Sequence, residues 1–144
     1  MTGDAENDPG WADWSAPTLD AFQNLAEAAF ARLPAPFPAL CEGVAVRVAD
    51  FPDDETLDEL DLESPFDLLG LFRGIGLAQG GAAGQLATGQ FPNMVWLFRR
   101  PIIDYWAEHD ETLGAIVTHV LVHEIGHHFG LSDEDMARIE ADAD

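Results

Sequence analysis

Residues 123–127 read His-Glu-Ile-Gly-His, and the chain continues as His128-Phe129-Gly130-Leu131-Ser132-Asp133. No other stretch restricts the fold as much, because each position has a mechanical consequence. Side chains four residues apart on an α-helix project from nearly the same face, so His123 and His127 can grip one metal ion. Glu124 lies about 100° further round, next to His127, within reach of a water that the ion would activate. Gly130 allows the positive φ that ends a helix, and the resulting turn lets Asp133 swing back as a third ligand. Two imidazoles and a carboxylate leave a fourth position open, as in a catalytic rather than a structural zinc site. The expectation is a metallohydrolase with one Zn2+ per chain on His123, His127 and Asp133, and Glu124 as the catalytic group.

The surroundings favour this over two ordinary helix histidines. Leu113 to Val122 is apolar and rich in β-branched residues, as in a helix buried within a domain. Burying two imidazoles and a glutamate beside it is costly without a partner, and a metal ion supplies one. The later glycine and acidic residue also fall at the spacing HExxHxxGxxH/D, which is more specific than HExxH alone.

The stretch HEIGHHFGLSDEDM resembles the signature of small bacterial zincin-like metallopeptidases, with Asp where the metzincin pattern has a third His. Leu69 to Ile75 and Val95 to Ile102 are similar to that family too, so the likeness runs over residues 17–140. It implies an α+β minimal zincin fold: a small mixed β-sheet packed on an active-site helix, with additional helices. It also implies a zinc-dependent metallopeptidase acting on a peptide or protein substrate, with Glu124 as general base. A strand beside the active-site helix would lay the substrate backbone down as an added strand, a role that falls to the segment at Val95. Asp133 stands ten residues after His123, where metzincins place their last histidine. Glu134 and Asp135 are out of that register, and Asp142 and Asp144 lie further on. Glu140 would suit a ligand on a second helix, but only seventeen residues follow His127, which is short for a turn and a well-placed helix. Met136 falls where a methionine could form a hydrophobic floor beneath the ion. The alternative function is a non-catalytic metal-binding or partner-binding module that retains the zincin fold.

Composition fits one domain over residues 16–144, with 47% hydrophobic and 10% aromatic residues. Residues 1–15 are polar, acidic and rich in Gly, Pro and Asp, as in a disordered leader that also carries Trp11 and Trp14. The chain has 27 acidic and 6 basic residues, for a net charge of −21. Such a surface repels nucleic acid and anionic membranes. It fits solubility, or adaptation to salt or to a GC-rich genome, and it also fits cationic partners or substrates. Oligomeric state is not legible. A lone Cys41 implies no disulfide framework and reads as a small buried residue. With no signal peptide and no apolar run of transmembrane length, a soluble cytoplasmic protein is expected.

Along the chain, Leu19, Phe22, Leu25, Ala26, Ala29, Phe30 and Leu33 recur at helical steps after Pro17 and Thr18. Pro34, Pro36 and Pro38 then suggest a stiff linker. Val44 to Val48 and Pro92 to Arg99 read as strands, Phe66 to Ile75 as a short helix, Ile102 to His109 and Glu111 to Phe129 as helices. Gly80 to Gly84 reads as a surface loop. The acidic run Asp53 to Glu63 is either a solvated face or a selector of cationic substrates. His119 shares a face with His123 and His127, but the three span about 12 Å along the axis, too far for one tetrahedral ion. His119, Arg99 and Tyr105 are candidate oxyanion donors. His128 could orient Glu124 or pack on the sheet, and His109 should be exposed.

Overall fold

A computed structural model of the chain describes residues 10–74 and 93–143. Most of the expected leader, the glycine loop and the first residue of the second strand lie outside the described residues. Gly10–Asp13 forms a 3-10 turn, and Trp14 after it is 73% exposed. Helix α1 (Leu19–Ala31) starts where the Thr18 hydroxyl accepts the Ala21 N–H at 3.1 Å. Its buried stripe of Phe22, Ala26 and Ala29 is the helical repeat read from the sequence. The proline segment is not a plain linker. It holds the short helix α2 (Phe37–Leu40), because a proline at the first helical positions lacks only an N–H that has no intrahelical partner.

Strand β1 (Val44–Ala49) follows, then helix α3 (Asp54–Glu59), a 3-10 turn (Pro65–Asp67) and strand β2 (Gly70–Gly74). The short helix expected over Phe66 to Ile75 is thus mostly a strand. Strand β3 (Asn93–Phe98) runs directly into helix α4 (Arg99–Glu108), which starts three residues earlier than expected and takes Pro101 in its first turn. Helix α5 (Leu113–His128) and helix α6 (Asp133–Ala143) complete the described chain. Among the described residues, six helices and a mixed sheet of three strands make an α+β fold of the minimal zincin type.

The sheet order is β1-β3-β2, with β3 parallel to β1 and antiparallel to β2. Val46, Val95 and Phe72 lie in register on the face toward α1 and α5. Arg47, Trp96 and Leu71 alternate to the other face. On that outer face Arg73 bonds Thr56 Oγ1 at 2.8 Å and pairs with Glu59 at 3.3 Å. Part of the acidic run therefore packs against the side of the sheet away from α5. No helix among the described residues is long and apolar enough to cross a membrane.

Candidate metal centre

Helix α5 is the middle of the molecule. Thr112 caps its start by accepting the Ala115 N–H at 3.1 Å. Ile116, Val117, Leu121, Val122 and Ile125 are essentially buried, which leaves the stripe His119, His123 and His127 as its polar face. The end of α5 is specified locally. Gly130 has φ +82°, its N–H bonds His127 O at 3.1 Å, and the Leu131 N–H bonds Gly126 O at 2.9 Å. That double bond pattern around a left-handed residue stops a helix and reverses the chain. Ser132 then opens α6: its Oγ accepts the Asp135 N–H at 3.0 Å, and Asp135 accepts the Ser132 N–H at 3.4 Å.

Helix α6 runs back along α5. Met136 is fully buried with its Sδ against Gly126, where any Cβ would collide with it. Asp133, in the first turn of α6, places Oδ1 3.2 Å from His127 Nε2. His123, His127 and Asp133 each offer a ligand atom, and these atoms lie within 4.8 Å of one another.

Glu140 also reaches the histidine stripe, against the expectation from chain length. Its Oε1 is 2.9 Å from His123 Nε2 and its Oε2 is 3.0 Å from His119 Nδ1. Eleven residues of α6 are enough to carry it there, so the objection from chain length fails. A signal was available: Asp133, Met136 and Glu140 recur at steps of three and four, hence on one helix face. Oε1 is buried and makes no aligned hydrogen bond despite the nearby imidazole.

Glu124 is half-buried beside His127 and under β2. Burial raises its carboxyl above the usual carboxylate range, while His127 and the Phe72 backbone N–H pull it partly back. Gly70 makes that proximity possible, since a Cβ there would sit 2.6 Å from Val120 Cγ1 and 3.4 Å from Glu124 Cγ.

The sequence profile of the zincin-like metallopeptidases matches residues 41–143. The chain belongs to the zincin-like metallopeptidase family. No curated protein matches the sequence. Family membership implies zinc, and the donors fit it: imidazole nitrogens and a carboxylate oxygen, close enough together to share one ion.

The other candidates of this zincin are placed differently. Arg99 bonds Asp50 at 2.6 Å and Pro17 O at 2.8 Å, which ties it to the end of β1 and the approach to α1 rather than to the cleft. Tyr105 stacks on the exposed His109. With His119, Leu69, Ile116 and Val120, Tyr105 also lines a cavity of about 240 Å³. His128 stacks on Phe72 at 3.9 Å, so it packs on the sheet. Cys41 is half-buried, and burial pushes its thiol up to about 11, which leaves it protonated and unreactive at neutral pH. A cavity of about 480 Å³ has His119 and Glu140 in its wall and borders the HExxH centre rather than containing Glu124.

Proposed function

We propose that this protein is a zinc-dependent peptidase, with one zinc held by His123, His127 and Asp133 and with Glu124 as general base. The observation that carries this reading is the place of Glu124: half-buried, beside His127, one residue along the helix from His123. Bound zinc would polarise the scissile carbonyl and ready a water for attack. Glu124 takes the water proton. Its raised pKa brings the proton affinity nearer to neutrality, where general-base catalysis is efficient. The same carboxyl then gives the proton to the leaving amine.

Substrate alignment is assigned here to β2 rather than to β3. Strand β3 is paired on both sides, so it has no free edge to accept an added strand. Strand β2 is an edge strand among the described residues, and it lies against Glu124 and His128. An extended peptide on that edge would pass over the HExxH helix. The net charge of −21 supports substrates rich in basic residues.

Digestion of a peptide library, together with zinc analysis by emission spectrometry, tests the proposal. Wild type should hold one zinc and cleave. Glu124→Gln should keep the zinc and lose about 10²- to 10⁴-fold in turnover. Zinc-loaded wild type without cleavage would favour the non-catalytic binding module. Loss of zinc in Glu124→Gln would show that the carboxylate is a ligand.

A further inference from the structure

Two donor sets, not one, are built along the polar stripe of α5. Besides His123, His127 and Asp133, the ligand atoms of His119, His123 and Glu140 lie within 4.8 Å of one another. The two oxygens of Glu140 each face an imidazole nitrogen, at 2.9 and 3.0 Å. Oε1 is buried without an aligned hydrogen bond. A carboxylate oxygen so placed is satisfied by a cation more readily than by a misaligned N–H. His119 and Glu140 also line the cavity of about 480 Å³, which gives an ion a route in.

We propose that His119, His123 and Glu140 form a second divalent-cation site that shares His123 with the HExxH set, so that an ion lodges in either but not in both. His119 and His127 are about 12 Å apart along the helix axis, so no single ion touches both. Filling the two sets together would require both nitrogens of His123 to bind metal, which an imidazole does only after losing its remaining proton. The two positions are chemically unequal. Glu124 is about 60° and 4.5 Å along the helix from His127, but about 140° and 7.5 Å from His119. An ion in the second set is therefore out of reach of the general base, and this loading is silent. That silence rests on the peptidase reading, whereas the binding itself does not.

The test starts from chelator-stripped protein titrated with zinc chloride by calorimetry. The double substitution His127→Ala with Asp133→Ala removes the HExxH set, and those side chains are 57% and 87% exposed, so the fold should tolerate it. We expect this variant still to bind one zinc per chain. Adding His119→Ala or Glu140→Gln should weaken that binding beyond the roughly 10- to 100-fold that removal of an outer partner costs. A carboxylate that merely oriented His123 would hold no ion once His127 and Asp133 were gone. Zinc-binding wild type with a non-binding double variant overturns the second site and leaves the peptidase reading intact. So does binding in the double variant that ignores both added substitutions. A second measurement does not depend on the double variant folding. One equivalent of cadmium-113 on wild type should give two resonances, reduced to one in Glu140→Gln, whereas a single resonance unmoved by Glu140→Gln overturns the proposal.

Discussion

Gly70 shows how much of this site depends on an absent side chain. It is buried, and a Cβ would come 2.6 Å from Val120 Cγ1 and 3.1 Å from the Trp96 carbonyl oxygen. Neither neighbour yields easily: one is β-branched, and the other is backbone in the central strand. Gly70→Ala should therefore cost about 1–3 kcal/mol, as overpacking does. It should appear as a lower denaturant midpoint with an unchanged slope. Glu124 Cγ lies 3.4 Å from the same point, an ordinary van der Waals contact, so the loss falls on the packing of β2 against α5. A variant as stable as wild type would show that β2 can slide off α5.

Among the elements, α3 is held by a cap that titrates. Asp53 accepts the Thr56 N–H at 2.8 Å, and hydrogen bonds with Thr56 hold its carboxyl below the usual carboxylate range. A depressed folded-state pKa adds stability that is present above the unfolded pKa and is lost as pH falls through the folded one. Asp53→Ala should thus unfold more easily than wild type at pH 7. The gap should close on acidification below the carboxylate range. A gap that persists there would mean that the carboxylate charge is not what the cap contributes. The α5–α6 corner is held differently, by the turn at Gly130, the Ser132 cap and Met136 pressed on Gly126. These contacts bring both carboxylates, Asp133 and Glu140, back to the histidine stripe.

For the whole molecule, metal binding and stability should be linked. The donors come from α5 and α6, which the unfolded chain does not hold together, so zinc binds the folded state preferentially. Zinc added to the stripped protein should raise the unfolding temperature, by an amount that grows with its concentration. His123 belongs to both donor sets, so His123→Ala should abolish the rise. His127→Ala alone should only reduce it. Thermal scans with and without zinc make the comparison, and an undiminished rise in His123→Ala would place the ion elsewhere on the acidic surface.

The features legible in the sequence are those set by neighbours along the chain. The start of α1 at Thr18, the start of α5 at Thr112 and the turn at Gly130 follow from caps and conformational preferences within a few residues. So does the alignment of His123 with His127 and the return of the chain at Asp133, because helical spacing and one glycine suffice for both. Strand β2 is hidden in the sequence because its inward positions are Gly70, Phe72 and Gly74, which give no apolar alternation. Those glycines are explained only by a helix lying against them. The central place of Asn93–Phe98 is hidden for a related reason: strand order depends on pairing between distant segments, and nothing local to these residues marks them as central. Glu140 belongs to the same class. Its spacing placed it on one face with Asp133, but which face of α6 meets α5 is decided by Met136 seated on Gly126, a contact between helices. Chemistry carried within one helical turn is written in the sequence, and chemistry assembled between elements is decided by packing.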